Sequence, residues 1–365
     1  MKIKEIVQYI DSFAPFSAAM PYDNVGLLIG SGETEPTGAM VSLDATMDTL
    51  RRALENNCNL VITHHPVIFN PIKRIDTESV VYQYIRHGVS VISAHTNLDM
   101  AKGGLNDLLA KRLGLSNITG IGLVSKRPYK KITVFVPEAF ADAVMNAMAN
   151  AGAGEAGGYS RCFFAAGGKG FYQPEEGSHP FWGEVGRLHT EPEVRLEAIC
   201  HPAKADAAIK AMLQIHPYER PAYDLTDDFA LTDSVYEGRA GMLAASLTPD
   251  ALAGQVKERL GLDAVGLVCR EGMEEKPLTR IAVCSGAGSD LLYDCAKEGI
   301  EALITSEIKH HIALDALEMG IVMVDGGHYG TEIIAVPMLA KKLEQRFPEL
   351  PVIPYVQQPA MRAVY

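Results

Sequence analysis

The 365-residue chain lacks several features, and each absence removes a class of protein. Its six cysteines, Cys58, Cys162, Cys200, Cys269, Cys284 and Cys295, lie far apart, with no CxxC and no dense framework. That spacing in a long chain reads as reduced, mostly buried thiols of a cytosolic protein. No apolar run approaches the roughly 18 residues that a membrane span needs. The opening stretch, Met1 to Asp11, mixes charges with Ile3, Ile6, Val7 and Ile10. It reads as an amphipathic helix, because no uncharged signal-peptide core follows. Positive charge is short as well: Lys+Arg 33 against Asp+Glu 45 leaves −12. That balance disfavours an exposed nucleic-acid-binding surface. Gly-x-Ser-x-Gly is missing, which argues against an α/β-hydrolase serine site. A soluble, cytoplasmic protein is the expectation.

What is present is ordinary globular material, 47% hydrophobic and 21% charged. At about 100–200 residues per domain, the length suggests two or three folded units. The first and last thirds repeat one another. Met40-Val-Ser-Leu-Asp44, a helical stretch from Met47 to Asn56, and Asn59-Leu-Val-Ile-Thr-His-His65 form one strand–helix–strand unit. Arg280-Ile-Ala-Val-Cys284, a helix from Leu291 to Glu298, and Glu301-Ala-Leu-Ile-Thr-Ser-Glu307 form another, with Thr63 and Thr305 offset by 242 residues. The next strands repeat too: Gly88-Val-Ser-Val-Ile-Ser-Ala-His95 resembles Gly320-Ile-Val-Met-Val-Asp-Gly-Gly-His328. His95 precedes Asp99 by four residues, and His328 precedes Glu332 by four. Continuous Val/Ile/Leu runs separated by helices imply parallel sheets covered by helices. The fold class expected is a duplicated α/β domain with parallel-rich sheets.

Between the halves the pattern changes. Lys131–Val136 reads as a strand, Glu138–Asn150 as a helix, Tyr159–Ala166 and Val194–Cys200 as strands. Ala203–Gln214 follows as a helix and Ala222–Leu225 as a short last strand. The order βαββαβ fits a ferredoxin-like α+β module. The expected domains are therefore 1–127, an insertion over 128–232, and 233–365. A linker-joined independent domain is the other possibility.

In an open parallel sheet, ligands bind beyond the carboxyl ends of the strands. Those ends deliver His64 and His65, His95 and Asp99, and His328 and Glu332. Adjacent histidines at a strand end point to opposite sides, which suits two metal ions better than one. Imidazoles and carboxylates without thiolates select Zn, Fe, Mn or Co. A bridging carboxylate would complete a dinuclear centre, with ions about 3.5–4 Å apart that activate water. Each element also has a bland reading, His-His-Pro as a capped strand end and Thr331 with Glu332 as helix caps. His310-His311 falls in a predicted helix and reads as surface. His201-Pro202 and His216-Pro217 read as turn punctuation. Gly286-Ala-Gly288-Ser289 is a tight turn whose N–H groups could hold an anion.

Six segments together resemble a known family. They are Asp23-Asn-Val-Gly-Leu27, Ile62-Thr-His-His-Pro66, Ala94-His-Thr-Asn-Leu-Asp99, Gly103-Gly-Leu-Asn-Asp107, Ser285-Gly-Ala-Gly-Ser289 and Gly327-His-Tyr-Gly-Thr-Glu332. The family is the Nif-three-like family, whose members carry the label GTP cyclohydrolase I type 2 homologue. The middle segment is similar to the PII/CutA-like insertion of its longer bacterial members. The resemblance implies two divalent metal ions per chain (Zn, Fe or Mn) on His64, His65, Asp99, His328 and Glu332, with Glu332 as the bridge. It casts His95 as a near-site residue that orients or hydrogen-bonds, and Glu332 and His95 as the catalytic pair. It also implies a homohexamer, a trimer of dimers, and no membrane partner. Lys102 departs from the family's loop, where proline stands, without removing a ligand.

Three readings follow from the resemblance. One is a metal-dependent hydrolase in which metal-bound hydroxide attacks a nucleotide; Lys73, Arg74 and Lys102 are its candidate phosphate contacts. Another is a two-metal phosphoesterase. The last is a non-enzymatic metal-binding hexamer that senses a small molecule through its inserted domain.

Overall fold

The computed structural model describes residues 1–156 and 158–361. The chain divides into two compact units, one from Met1–Val124 and from Val235 onward, the other Ser125–Ser234. The fold is mixed α/β with parallel-rich sheets. Among the described residues, no helix is long and apolar enough to cross a membrane.

Among the described residues, thirteen strands run in chain order as β1 (Gly26–Ile29), β2 (Ala39–Ser42), β3 (Leu60–Thr63), β4 (Ser90–Ser93), β5 (Ser116–Pro137), β6 (Phe163–Tyr172) and β7 (His189–Cys200). They continue as β8 (Tyr223–Leu247), β9 (Gly266–Val268), β10 (Leu278–Val283), β11 (Ala302–Thr305), β12 (Val322–Asp325) and β13 (Val352–Pro354). In the larger unit, β2, β3 and β4 pair in parallel, and β1 closes the edge antiparallel to β4. The second half repeats this order. There β10, β11 and β12 are parallel and β9 closes the edge antiparallel to β12. The halves differ at the other edge, where β13 adds in parallel to β2 but β8 adds antiparallel to β10.

Alternating side chains along each strand explain why the runs are apolar throughout. Val41, Ile62 and Ile92 from one sheet and Ile304, Val283 and Val324 from the other enter a single core. Their neighbours Met40, Val61 and Val91 face a separate cluster, as do Ala282, Leu303 and Met323. The shared core is completed by helices. Helix Ile3–Phe13 buries Ile3, Ile6 and Ile10, three positions that fall on one stripe at helical spacing. Helices Leu105–Arg112, Pro249–Leu260 and Ala335–Arg346 contribute Leu109, Val256 and Leu339.

In the smaller unit the elements follow as β5, helix Ala141–Asn150, β6, β7, helix Ala205–Ile215 and β8. The strand order is β6-β7-β5-β8, with β7 antiparallel to both of its neighbours. Ile132, Val134 and Leu196 meet Val144, Met148 and Met212 of the two helices. Three expectations need correcting, the first being the strand expected over 131–136, which runs Ser116–Pro137. The strand expected over 159–166 lies at Phe163–Tyr172, and the short strand expected at 222–225 is 25 residues long. The last was hidden because its polar first half has no hydrophobic run. Its later half, around Gly238-Arg239-Ala240-Gly241, is held by close backbone pairing. A Cβ on Gly238 would meet the Val283 carbonyl oxygen at 2.7 Å, so only glycine allows that approach.

Candidate metal centre

Four strand ends of the larger unit converge. After β3 come His64 and His65, and after β4 come His95 and the short helix Thr96–Met100, which carries Asp99. After β12 comes the short helix His328–Glu332, and after β10 comes Ser285. His64 Nε2 lies 3.6 Å from Asp99 Oδ1 and 3.7 Å from Glu332 Oε1. His65 Nε2 and His328 Nε2 lie 2.8 and 3.1 Å from the other oxygen, Glu332 Oε2. The neighbouring rings of His64 and His65, 5.1 Å apart and tilted by 43°, therefore serve different oxygens of one carboxylate. His95 stands beside both, its ring 5.3 Å from that of His64 and 5.5 Å from that of His65.

The remaining ring nitrogens are fixed from behind. His64 Nδ1 is 2.8 Å from the carbonyl of Ala94, and a carbonyl only accepts, so the proton sits on Nδ1. His65 Nδ1 faces Asp44 at 2.7 Å, His95 Nδ1 faces Asp23 at 2.8 Å, and His328 Nδ1 faces Glu307 at 2.8 Å. Carboxylate or carbonyl partners on one nitrogen orient the other, which is how metal-binding histidines are held. Asp99 is oriented similarly, accepting from the Ser285 hydroxyl at 2.7 Å. Ser285 N in turn donates to Asn106 Oδ1 at 2.7 Å.

Electrostatics follow from this packing. Glu332 is 2% exposed, and burial disfavours its charge; His64, His328 and His65 outweigh that and hold the carboxyl well below its usual range. Asp99 is raised by burial and by Glu332, despite His64. Burial opposes charge on His65, yet Asp44 and Glu332 raise it to about 10. His328 is raised to about 9, first by its hydrogen bond to Glu332. Burial also works against charge on Asp23, but His95 and Thr96 lower it to about 2.

His64 Nε2 is a different case. It is fully buried and has no hydrogen-bond partner. With Nδ1 committed to the Ala94 carbonyl, Nε2 faces two carboxylate oxygens at 3.6 and 3.7 Å, an arrangement that a bound cation or a proton on Nε2 stabilises. Three groupings place their ligand atoms within 4.8 Å of one another: His64, Asp99 and Glu332; His65, His328 and Glu332; and His64, His65 and His95. The donor set, imidazole and carboxylate, suits a borderline divalent ion. These residues fit a metal.

All six chemistry-bearing residues expected from the strand ends are thus brought together. His310 and His311 are exposed on helix His310–Met319 and stay outside the cluster. Lys73, Arg74 and Lys102 are exposed. Two N–H groups of the glycine turn at 286–288 are already bonded within the protein. Gly286 N donates to Thr331 Oγ1 at 3.0 Å and Gly288 N to Thr305 Oγ1 at 3.1 Å. Its role is closeness: a Cβ on Gly286 would sit 2.3 Å from Glu332 Oε1. Asp44, Glu307 and Asp23 had no assigned role in the sequence reading. Asp44 and Glu307 stand in strand-end segments, where polar residues were the available signal.

The family profile of Duf34/NIF3 (NGG1p interacting factor 3) matches residues 1–359. A Bacillus subtilis (strain 168) protein named GTP cyclohydrolase 1 type 2 homolog is 36% identical over 335 residues, covering 91% of this chain and 89% of that one. A protein of the same name from Halalkalibacterium halodurans is 34% identical, covering 93% and 91%. The crystal structure of a Bacillus cereus protein related to NIF3 superposes with a TM-score of 0.87 at 31% identity, covering 100% of this chain and 99% of that one. A Staphylococcus aureus protein, SA1388, gives 0.75 at 26% identity, covering 100% and 99%.

Proposed function

The chain belongs to the Duf34/NIF3 family, and from that premise we propose that it is a dinuclear metal-dependent hydrolase acting on a nucleotide-type substrate. The observation that carries the reading is the buried, partnerless Nε2 of His64 facing Asp99 and Glu332. His64, Asp99 and Glu332 Oε1 would hold one divalent ion, and His65, His328 and Glu332 Oε2 the other. When bound, such a pair supplies Lewis acidity and an activated water.

The protein's own groups supply the rest. Asp23 fixes His95 through Nδ1 and leaves Nε2 free to take or give a proton at the reacting atom. Asp44 and Glu307 hold the rings of His65 and His328 in place. Beside the cluster, Tyr22, 65% exposed, and Phe69, 45% exposed, have ring centroids 6.4 Å apart. Phe69 lies 6.3 Å from His95, so a flat base has a stacking surface leading to the cluster. The relatives' shared name, GTP cyclohydrolase 1 type 2 homolog, points to GTP as the first substrate to try.

The same proposal includes the smaller unit as a ferredoxin-like insertion into a duplicated α/β domain. Its βαββαβ order and its β6-β7-β5-β8 arrangement support that. It also includes assembly as a homohexamer, which native mass would test.

Metal content and GTP consumption, followed by chromatography on the metal-loaded protein, test the reading. Turnover that needs metal and is lost in His65→Ala is expected. Full metal occupancy with no turnover across nucleotides and phosphoesters would overturn the hydrolase and leave a metal-binding protein. Well under one ion per chain would overturn the centre itself.

A further inference from the structure

The smaller unit contains a cavity of about 420 Å³, built wholly from its own residues. That volume falls in the range of small-molecule sites, about 300–1,000 Å³. Five of its fourteen lining residues are aromatic. Tyr172 and Tyr218 pack edge to face at 5.4 Å, and both hydroxyls are tied down. Tyr172 donates to the Trp182 carbonyl and Tyr218 to Glu193, each at 3.0 Å. Phe171 and Phe181 also line the cavity yet remain 63% and 53% exposed. Large apolar rings held open around a concave space are where a flat ligand gains most from leaving water.

The loop that contributes Pro174, Ser178, Pro180 and Phe181 to the lining is tied in place. Gly186 N donates to the Pro174 carbonyl at 2.8 Å and closes the loop on itself. His179 N donates to Glu219 Oε2 at 3.2 Å and ties the loop to the turn after helix Ala205–Ile215. The edge-to-face contact of Phe181 with Phe140, at 5.7 Å, anchors the loop's aromatic end.

Charge decides the ligand class. Four charged residues line the cavity: Lys169, Glu193, Glu219 and Arg220. The two acids already accept hydrogen bonds, from the Tyr218 hydroxyl and from His179 N. The two cations have no hydrogen bond or ion pair among the described residues. In a chain of net charge −12, the lining is formally neutral, with Lys169 and Arg220 balancing Glu193 and Glu219, and its two cations are the charges left without a partner. A guanidinium and an ammonium together match a phosphate or carboxylate group.

We propose that this cavity is a second ligand site, separate from the His/carboxylate cluster, for a planar aromatic molecule carrying an anionic group. The ring stacks among Tyr172, Tyr218, Phe171 and Phe181, and the anion is held by Lys169 and Arg220.

Calorimetric titration of the full-length protein tests this, with AMP as probe, adenosine as its neutral counterpart and inorganic phosphate as the anion without a ring. Saturable AMP binding is expected, with adenosine and phosphate each weaker by roughly tenfold or more, the loss of one recognition element. Lys169→Ala and Arg220→Ala should each weaken AMP by about tenfold. Glu332→Ala, which disrupts the metal cluster, should leave AMP affinity unchanged. Absence of saturable AMP binding, adenosine binding as tightly as AMP, or full affinity in both cation variants would overturn the proposal. Loss of AMP binding in Glu332→Ala would move the site to the metal cluster and overturn it equally. A fall in native mass by light scattering for Phe171→Ser with Phe181→Ser would make this face a subunit contact instead.

Discussion

Glu332→Gln keeps the shape of the side chain and removes its charge, which makes it the most informative perturbation of the cluster. Three imidazoles converge on this carboxylate, two on Oε2 and one near Oε1. Both candidate metal groups that contain a carboxylate share it, whereas Asp99 belongs to one and His328 to the other. Glu332→Gln should therefore weaken both ions, while Asp99→Asn and His328→Gln each weaken one. A ligand that binds only the folded state stabilises by RT ln(1 + [L]/Kd), about 2.7 kcal/mol at a hundredfold excess over Kd. For a unit the size of the larger one, that is a rise in Tm of about 5 °C. If losing the shared charge raises Kd about a hundredfold, the same metal concentration yields only about 0.4 kcal/mol, a shift under about 1 °C. The assay is thermal unfolding with and without added Zn, Mn or Fe, alongside metal analysis of the purified variants. A metal-induced shift in Glu332→Gln equal to that of the wild type would refute the shared-carboxylate reasoning. So would loss of both ions in Asp99→Asn with only one lost in Glu332→Gln.

Two other outcomes follow from the packing. Gly286→Ala places a Cβ 2.3 Å from Glu332 Oε1 at a φ of +61°, so it should lower stability by about 1–3 kcal/mol and reduce metal content, measured by thermal unfolding and metal analysis. Unchanged metal content would mean that the turn does not position Glu332. Glu301 gives a pH signature: partial burial works against its charge, but the N–H groups of Arg280 and Thr279 and the Thr279 hydroxyl outweigh it and lower its pKa. Its stabilisation is then complete above the unfolded value of about 4.3 and is lost as pH falls through the lower folded value. The stability gap between wild type and Glu301→Gln should be constant near neutrality and shrink in acid. A gap that stays constant down to about pH 2 would count against it.

Much of the architecture is readable in the chain because it is locally encoded. The strands of both halves are continuous apolar runs, and their helices carry stripes such as Ile3, Ile6 and Ile10. The polar residues just past those runs mark the strand ends, so the His-x-x-x-acid pairs could be picked out without knowing how they meet. Strand β8 escaped because its stability comes from partners on both sides and not from its own pattern. The carboxylates behind the rings escaped for a related reason. Asp44 lies 21 residues from His65, and Asp23 lies 72 residues from His95. Acidic residues are common in loops, and nothing local marks one as the partner of a distant imidazole.

The sequence by itself marked the polar side chains at the strand ends, because the end of a buried strand is a local property of hydrophobic patterning. It also determined the repeat, because two strand–helix–strand units bury the same kind of face. Only the tertiary structure decided that the two halves meet in one His/carboxylate cluster. His65 and Glu332 stand 267 residues apart and meet at 2.8 Å because two sheets share a core and bring their strand ends together. It also decided which nitrogen of His64 is left bare. That depends on where the Ala94 carbonyl points, a matter of packing that no spacing of residues encodes.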